Sequence, residues 1–441
     1  MLAGLPVTLR VGVAGLGTVG GGVLRLLRDN AALVAARAGQ PIVVTAVSAR
    51  DRGRDRGVPL DGVRWHEDAS ALAEDPGVDV VVELIGGSEG PGRALVEASL
   101  RAGRPVVTAN KALLAVHGAE IAALAERRGV MLGFEAAVAG GIPVIKALRE
   151  GLAGNRIARV AGILNGTCNY ILTTMRESGR DFAGVLGEAQ ALGYAEADPS
   201  FDVDGVDAAH KLAILAALAF GRPVAFEELH VEGIRQVSAL DIAFAEELGF
   251  RIKLLGIAEL GERGVLARVH PCMVARDASL ARVEGVFNAV VAEGDFIGRL
   301  MLEGRGAGAG PTASAVVSDL VDLARGRVVP VWGVASAALS HSPAAAMADR
   351  VGAFYLRLMV RDRPGVIADV AAALRDHEVS VASMLQHGQG PAEHGRAPGE
   401  AVAMVLVTHE TRERDMAAAL GAVAGLEAVL ERPALIRIEA G

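Results

Sequence analysis

Short, continuously apolar runs alternate with amphipathic stretches through the first third of the chain. The apolar runs have the length of strands and occupy residues 9–14, 42–47, 78–85, 105–108 and 130–134. Between them, apolar positions recur with the period of a helix over residues 19–27, 94–102 and 119–128. Strands that are apolar on both faces and separated by helices form a parallel sheet covered on both sides. The pattern predicts a doubly wound α/β domain over residues 1–140.

The alternation changes after residue 140. Strand patterns are now mixed with helical ones, at residues 157–163, 254–257 and 266–269 for the strands and 170–177, 182–192 and 206–220 for the helices. We therefore expect an α+β domain over residues 141–305. A glycine-rich segment follows and then becomes helical, so we expect residues 306–340 to return to the first domain and complete it. Residues 330–346 are rich in Ala, Ser and Pro, which indicates a linker.

The C-terminal part has a pattern of its own. Strands are predicted at residues 354–360, 380–385, 401–408 and 435–438, with helices at 366–377 and 412–423. The resulting order, βαββαβ, is that of a small ferredoxin-like domain, which we place at residues 352–441.

Composition and charge exclude several classes of protein. The 441 residues, about half of them hydrophobic, are enough for about three domains. With 52 acidic and 44 basic residues the net charge is −8, which disfavours nucleic acid as a partner. The two cysteines, Cys168 and Cys272, form no metal or disulfide motif. The longest apolar run, residues 212–220, is too short to cross a membrane, and no signal peptide is visible. We expect a cytoplasmic protein without a membrane or nucleic-acid partner.

A glycine motif follows the first predicted strand and opens the first helix. Gly15, Gly17 and Gly20 have the spacing G-x-G-x-x-G, with Thr18 and Val19 between the last two. The first glycine permits a tight turn, the second lets a pyrophosphate approach the backbone, and the third lets helix and strand pack closely. In this context the motif predicts a Rossmann-type dinucleotide site with the phosphates at the helix N-terminus.

The end of the second strand bears on the choice of dinucleotide. An acidic side chain there would bind the ribose hydroxyls of NAD, whereas a cation suits the 2′-phosphate of NADP. The strand ends in Arg50, so we expect NADP. Asp51 is adjacent, and NAD remains the alternative.

Three charged residues stand out in an apolar neighbourhood near the centre of the chain. Asp207 and Lys211 are four apart on the predicted helix 206–220 and share one face. Glu196 lies upstream in a segment that Pro199 keeps out of helix, so a short loop can return it to the helix start, where Asp204 is the predicted N-cap. A helix this apolar is mostly buried, and its charges must face something polar. We expect two carboxylates and one ammonium to converge.

Two further segments carry candidate ligands. Lys111 follows the strand at residues 105–108, at the edge where doubly wound sheets bind ligands, and we expect it to contact the nicotinamide ribose or the substrate. Residues 135–143 combine the carboxylate of Glu135 with a glycine-kinked backbone whose carbonyls can surround a small hard cation. An ordinary strand-end lysine and an ordinary loop between domains are the alternatives.

Taken together, these residues resemble homoserine dehydrogenase along the whole chain. The signature-like parts are residues 193–199 (GYAEADP) and 205–211 (GVDAAHK), supported by 84–87 (LIGG), 108–111 (TANK), 165–170 (NGTCNY) and 308–313 (GAGPTA). The segment 360–366 (VRDRPGV), with residues 384–386 (MLQ), is similar to an ACT domain, a module that often senses amino acids. We expect no kinase to precede the nucleotide fold, and in this the chain resembles the monofunctional form of the family.

The resemblance implies an NAD(P)-dependent oxidoreductase that interconverts L-homoserine and L-aspartate 4-semialdehyde in the biosynthesis of threonine, methionine and isoleucine. On this interpretation Lys211 is the acid/base group and Lys111 the second candidate. Glu196 and Asp207 would hold the substrate's ammonium, with Lys111 also at the substrate. Cofactor contacts are then expected from the glycine motif, Arg50 and Lys111, and from the motif residues Gly86, Gly308 and Gly310.

The family further implies a sodium-like ion, an effector and an oligomer. The ion would be bound by Glu135, Val138, Gly140 and Ile142. Threonine is the expected effector, at the turn containing Asp362 and Gly365. A homodimer or homotetramer is expected, because ACT domains leave edge strands to be paired.

Two rival interpretations remain at this stage. An aldehyde dehydrogenase acting on the same semialdehyde would need a thiol nucleophile, and Cys168 is the one cysteine in a motif-like setting. A regulatory protein without turnover would bind the same ligands. His270 and His341 show no visible catalytic partner in the sequence.

Overall fold

The fold is known from a computed structural model that describes residues 8–340, 343–386 and 401–439. Its strands form two large sheets and one short two-stranded pair. His341 and the outer ends of the predicted first and last domains lie outside the described residues. The limits that we set for the three domains stay predictions.

The first sheet is the predicted doubly wound one. Its six parallel strands run in the order β3-β2-β1-β4-β5-β6, the order of a Rossmann fold. They are β1 Leu9–Ala14, β2 Ile42–Ser48, β3 Arg64–His66, β4 Val80–Glu83, β5 Val106–Thr108 and β6 Leu132–Gly133. Strand β3 was not predicted, because its three residues show no apolar pattern.

Four helices accompany this sheet: α1 Thr18–Asp29, α2 Ala31–Ala38, α3 Pro91–Arg101 and α4 Lys111–Arg128. Helix α4 begins eight residues before the predicted helix. The Asn110 side chain starts it by accepting a hydrogen bond from the Leu113 amide at 3.1 Å. Lys111 is therefore the first residue of a helix rather than part of a loop.

A short connection, with helix α5 at Val144–Lys146, leads from the first sheet to the second. The strands of the central region are β7 Ile157–Ile163, β8 His230–Val231, β9 Phe250–Gly261, β10 Gly264–Ala275, β11 Phe287–Gly294 and β12 Gly298–Arg305. Its helices are α6 Gly166–Ser178, α7 Phe182–Ala191, α8 Ser200–Val203, α9 Val206–Phe220 and α10 Ala239–Glu247. These elements confirm the predicted α+β arrangement.

Helix α9 has the predicted bounds and is the central helix of the fold. It packs against β7, β9 and β10, and all its residues from Asp207 to Leu218 are buried. Glycines with left-handed backbone, Gly205 (φ 86°) and Gly221 (φ 57°), stop it at both ends. Asp204 is not its N-cap as predicted, because it ends α8 and the left-handed Gly205 separates the two helices.

Helix α11 (Ala309–Ala324) returns to the first sheet and packs along α1. The approach is close, because a Cβ on Gly22 would lie 2.5 Å from the Ala309 carbonyl oxygen. We propose on this basis that residues 306–340 complete the nucleotide-binding domain. The segment predicted as a linker is packed rather than loose: Trp332 is fully buried, with its ring centroid 5.5 Å from that of Phe134.

The C-terminal unit has the predicted βαββαβ order. The six elements in that order are β14 Phe354–Arg361, α12 Val366–Arg375, β15 Val381–Gln386, β16 Ala401–Thr408, α13 Glu413–Ala424 and β18 Ala434–Glu439. A separate short pair, β13 Val351–Gly352 with β17 Thr411–Arg412, is added to them. The order across its sheet is β18-β14-β16-β15. Strand β18 also pairs in parallel with β10, so the central and C-terminal units share one continuous sheet.

Within the described ranges, none of the helices is both long enough and apolar enough to cross a membrane.

Candidate active site

The glycine turn after β1 is built to leave room for a ligand. Gly15 has a φ of 94°, and a Cβ there would lie 2.5 Å from the Leu84 carbonyl oxygen. A Cβ on Gly20 would lie 2.1 Å from the carbonyl oxygen of Gly15, so only glycine lets the helix pack this closely. Gly17, by contrast, faces open space within 4 Å and precedes α1 without any side-chain cap. The amides of the first turn, at Thr18 and Val19, are thus available for phosphate oxygens.

A cavity of about 830 Å³ opens beside this turn and is lined by Gly15, Gly17 and the end of β2. Arg50, Arg54 and Arg56 line it as well. A second cavity of about 340 Å³, at the start of α1, is lined by Arg54, Arg56, Arg25 and Thr18.

These arginines form a basic wall at the coenzyme cavity. The Arg56 guanidinium lies 5.4 Å from the ring centroid of Trp65, which holds it in place. Asp51 accepts a hydrogen bond from the Gly53 amide at 2.8 Å and so supports the loop. Of the wall only Arg50 was predicted, because Arg54 and Arg56 lie in a Gly-, Arg- and Asp-rich stretch that is typical of an ordinary loop.

A fully buried carboxylate shapes the far end of the cleft. Glu83, at the end of β4, accepts hydrogen bonds from the Ile85 and Gly86 amides at 2.8 and 3.0 Å and from the Thr108 hydroxyl at 2.6 Å. The Asn110 side-chain amide donates to the Gly87 carbonyl at 2.8 Å. The two motifs at residues 84–87 and 108–111 are thereby joined. Glu83 was missed at the sequence level because it ends an apolar strand without a motif of its own.

Asp207 lies between two lysines from different parts of the chain. Its Oδ2 is 2.6 Å from the Nζ of Lys211, and its Oδ1 is 3.0 Å from the Nζ of Lys111. The Lys211 ammonium also donates to the Leu164 carbonyl at 2.8 Å. Because Lys111 is the first residue of α4 and Asp207 is the second residue of α9, this contact joins the nucleotide-binding sheet to the central region. The structure therefore brings together Lys111, Asp207 and Lys211.

Asparagine and aspartate side chains surround this trio. Asn165, which caps α6, donates from its side-chain amide to Asp207 at 2.8 Å and to Asp202 at 2.7 Å. Asp202 thus occupies the place expected for Glu196. The side chain of Glu196 is exposed, and among the described residues it contacts neither Asp207 nor Lys211. Its backbone carbonyl accepts a hydrogen bond from Gln190 at 3.0 Å.

Burial and the opposite charges set the protonation of the trio. Burial alone raises the pKa of Asp207, but the ammonium groups of Lys211 and then Lys111 outweigh it and hold that pKa well below its usual range. Burial lowers the pKa of Lys211; Asp207 opposes this shift and Lys111 adds to it. Burial, with the charge of Asp207, raises the pKa of Asp202. The site thus holds an ionised carboxylate beside an ammonium that gives up its proton more easily than usual.

The glycine loop before α11 reaches the same place. The Asn288 side-chain amide donates to the Leu164 carbonyl at 2.9 Å, the oxygen that Lys211 also uses. A Cβ on Gly306 would lie 2.2 Å from the Asn288 side chain. Gly308 has a φ of 114° and precedes α11, while Gly310 faces open space. The loop that ends at Gly308 therefore begins next to the charged trio, and Gly310 lies in the first turn of α11.

The proposed cation loop has its carboxylate engaged. Glu135 is buried, and its two oxygens accept hydrogen bonds from the Ile145 and Lys146 amides, both at 2.9 Å. Burial, and next the charge of Asp319, raise the pKa of Glu135 to about 7. Its side chain therefore supports the start of α5. Among the described residues, no cluster of three or more His, Cys, Asp or Glu side chains is arranged to hold a metal.

The remaining candidate residues lie away from the three charged residues or are held in an unreactive state by burial. Cys168 is fully buried and donates from Sγ to the Asp202 carbonyl at 3.2 Å, and burial raises its pKa well above the ordinary value. His270 is fully buried near the β10–β18 junction, 3.9 Å from Glu439. Asp362 and Gly365 (φ 95°) form an exposed turn before α12.

Comparison with known proteins gives one consistent family. Residues 143–321 match the model of the homoserine dehydrogenase family, residues 15–135 its NAD-binding domain, and residues 354–425 the ACT domain. Homoserine dehydrogenase of Pseudomonas aeruginosa is 47% identical over 440 residues, which are 98% of this chain and 99% of that protein.

Two solved structures place the fold in the same group. The crystal structure of a homoserine dehydrogenase from Thiobacillus denitrificans superposes with a TM-score of 0.91 at 46% identity, covering 98% of each chain. A hyperthermophilic archaeal homoserine dehydrogenase in complex with NADPH superposes with a TM-score of 0.63 at 27% identity, covering 73% of this chain and 99% of the archaeal one.

Proposed function

The chain belongs to the homoserine dehydrogenase family, and from that premise we propose how its residues divide the work of catalysis. It is an NAD(P)-dependent oxidoreductase that interconverts L-homoserine and L-aspartate 4-semialdehyde in the biosynthesis of threonine, methionine and isoleucine. The nicotinamide supplies or accepts the hydride. The residues described below bind the substrate, orient it and move the proton that accompanies that hydride.

Lys211 is the proposed acid/base group. An ammonium has three N–H donors, and two of those of Lys211 go to Asp207 and the Leu164 carbonyl at 2.6 and 2.8 Å. The third finds no acceptor in the part of the chain that the structure describes, so it is the proposed donor to the substrate oxygen. The lowered pKa of Lys211 favours this proton transfer in the reducing direction and the return of the proton in the oxidising one. The Asp207 bridge between two ammonium groups is the observation that carries this proposal.

Lys111 is the second candidate for the same role. It is more exposed than Lys211, with 30% of its side chain accessible against 11%, and it stands at the edge of the nucleotide-binding sheet. That position supports contact with the nicotinamide ribose and the substrate. Asp207 joins the two lysines and, in either assignment, keeps both charged groups in place.

We assign the substrate ammonium to carboxylates outside the ion pairs. Both oxygens of Asp207 are already engaged, so among the three carboxylates at the site it best serves to orient the lysines. Asp202 accepts a hydrogen bond from Asn165 but has no ion-pair partner among the described residues. Its pKa is raised by burial, and a cation bound nearby would lower that pKa again. Glu196 remains a proposed second ligand, brought in from its exposed loop when substrate binds.

NADP is the proposed coenzyme. The open glycine turn and its helix N-terminus fit a dinucleotide pyrophosphate, and the wall of Arg50, Arg54 and Arg56 fits a 2′-phosphate. Gly86, which is held by Glu83, and Gly308 and Gly310, which lie at the start of α11, are proposed to flank the nicotinamide half.

We propose that a monovalent cation at residues 135–142 is bound mainly by main-chain oxygens, because each side-chain oxygen of Glu135 already accepts a hydrogen bond from a backbone amide. The carbonyl of Ile142 also accepts from the Val144 amide at 2.7 Å. Val138 and Gly140 are the better candidates, and the ion would supply a fixed positive charge that stiffens this connection.

The ACT domain suggests an amino-acid effector. We propose threonine, at the exposed turn of Asp362 and Gly365. We also propose a homodimer or homotetramer, supported by the two ends of the long sheet: β12 and β15 are its edge strands, and Met384 on β15 is 47% exposed.

Two rival interpretations are disfavoured. An aldehyde dehydrogenase needs a reactive thiolate, and Cys168 is fully buried with its pKa raised well above normal, mainly by that burial. A regulatory protein without turnover has no use for a buried ammonium of lowered pKa that is aligned by two domains.

Replacing Asp207 tests the assignment. In Asp207→Asn the two ammonium groups lose the charge between them, so we expect kcat/KM for homoserine to fall by at least about a hundredfold. Binding of NADPH, measured by calorimetry, should change little. Asp204→Asn is the matched control, because Asp204 lies on the preceding turn and its ion-pair partner within the described residues is Arg235 at the surface. Equal losses in the two variants would contradict the proposal.

A further inference from the structure

The C-terminal unit touches the segment that supports the active-site turn. Arg437, on β18, is buried and forms a two-pronged ion pair with Glu232, with N–O distances of 2.8 and 2.9 Å. Its Nε also donates to Glu413 of the C-terminal unit at 2.9 Å. Arg437 is thus fixed on its own side and reaches across to the central region. Bidentate arginine–carboxylate pairs of this kind fix geometry as well as adding energy.

Glu232 leads directly into a close backbone contact. A Cβ on the next residue, Gly233, would lie 2.1 Å from the Val203 carbonyl oxygen and 2.5 Å from the Cα of Asp204. The Ile234 amide donates to that same Val203 carbonyl at 2.8 Å. Segment 232–234 therefore lies against the turn at residues 203–205, with no room between the two backbones.

The turn at residues 203–205 lies between the two aspartates of the active site. It joins α8, which contains Asp202, to α9, which begins with Val206 and Asp207. Asn165 bonds both of these carboxylates, at 2.7 and 2.8 Å. A shift of the turn would move Asp202 and the start of α9 relative to Asn165, which bonds both carboxylates.

We propose that Arg437 is a positioning residue for the homoserine site: by anchoring Glu232 it holds the turn that places Asp202 and Asp207. The C-terminal unit is then part of the support of the active site, and a ligand or partner that displaces β18 acts on substrate binding along this route. The proposal rests on the roles given above to Asp202 and Asp207.

Glu232→Gln is the test variant, because Glu232 is partly exposed (42% of its side chain) and Arg437 keeps Glu413 as a charged partner. We expect KM for homoserine to rise roughly three- to tenfold, which lies within the range of about two- to thirtyfold for coupling through packed contacts. KM for the coenzyme and kcat should stay within about twofold. Arg437→Lys, which keeps the charge but loses the fork, should show a smaller change of the same kind.

Arg357→Gln is the matched control. Arg357 pairs with Asp241 on α10, at 2.6 and 3.2 Å. The substitution therefore removes a different ion pair between the same two units, one that does not involve the turn at residues 203–205. We expect its KM for homoserine to equal that of the parent enzyme, with melting temperatures recorded for every variant. An unchanged KM in Glu232→Gln, or an equal rise in Arg357→Gln, would overturn the proposal. The Asp207→Asn variant distinguishes failure of the site assignment from failure of the role proposed for Arg437. If Asp207→Asn retains activity, the site assignment is wrong. If Asp207→Asn is impaired but Glu232→Gln is not, only the role of Arg437 is wrong.

Discussion

Replacement of Lys211 is the most direct test of the chemistry. Lys211→Ala removes the proposed proton donor, and Lys211→Met does so with less loss of volume. General acid–base catalysis contributes about 10²–10⁴ in rate, which corresponds to roughly 3–5 kcal/mol. We expect kcat in both directions to fall by that factor, with NADPH affinity from calorimetry within about twofold of the parent.

The structure also limits the cost in stability. Breaking a buried ion pair costs about 3–5 kcal/mol when the remaining charge has no partner. Here Asp207 keeps Lys111 at 3.0 Å and Asn165 at 2.8 Å, so we expect about 1–2 kcal/mol. For 441 residues that unfold as one unit, this predicts a fall of only about 1–2 °C in melting temperature rather than loss of the fold.

The assay follows nicotinamide absorbance from aspartate semialdehyde and NADPH over a range of pH. The ammonium form of Lys211 serves reduction, so the reductive rate should fall as pH rises through its pKa, which burial lowers from the ordinary value. The oxidative rate should rise over the same interval, because it needs the neutral amine. Both dependences should disappear in Lys211→Met. If they persist there and disappear in Lys111→Met, the two lysines exchange roles.

A second buried lysine provides the control. Lys253 is 2% exposed, and burial lowers its pKa to about 8, but it bonds Asn169, Val283 and Glu284 rather than Asp207. Lys253→Met should lose stability and keep kcat. If Lys211→Met retains more than about a tenth of the parent kcat, Lys211 is not the acid/base group.

Three further predictions concern the coenzyme, the thiol and the effector. Arg54→Gln should raise KM for NADPH about tenfold and leave KM for NADH unchanged, because one charge-assisted hydrogen bond to the 2′-phosphate is lost; equal effects on both coenzymes would contradict the NADP assignment. Cys168→Ser should keep at least half of kcat, and iodoacetamide should not inactivate the native enzyme, since burial keeps that thiol protonated; rapid inactivation would revive the thiol mechanism. Threonine at a hundred times its dissociation constant should stabilise the protein by about 2.7 kcal/mol and inhibit it, and Asp362→Ala should abolish both effects; if threonine neither inhibits nor raises the melting temperature, the ACT domain has another ligand or serves assembly.

Local pattern was enough to predict much of the fold. Helix α9 and strand β7 have the bounds predicted, because α9 is a largely apolar run between Gly205 and Gly221 and β7 is a mostly apolar run that begins after Arg156. The parallel, doubly wound sheet of the first domain followed from apolar strands separated by helices, whereas its strand order is seen only in the structure. What had no local signal was the pairing of β10 with β18, since a parallel contact between strands about 160 residues apart leaves no trace in either strand.

The candidate site was predicted only in part, because some of its residues follow a local sequence pattern and others come together only in the fold. Helical spacing placed Asp207 and Lys211 on one face, and the end of a parallel strand placed Lys111 near them. Asp202 was overlooked in favour of Glu196 because only the fold shows that Asn165 reaches Asp202. Helix α4 was predicted too short since Gly118 interrupts its pattern, although that glycine makes room for Trp332: a Cβ there would lie 2.9 Å from the indole.

The two tryptophans of the chain occupy contrasting surroundings. Trp65 lies beneath the arginines of the coenzyme cavity, whereas Trp332 is sealed in the core against Phe134 and α4. Their emission should therefore divide into a component quenched when dinucleotide binds and a component that reports only on unfolding. Phenylalanine at either position would isolate the other signal, giving one intrinsic fluorescence channel for occupancy and another for integrity, without an added dye.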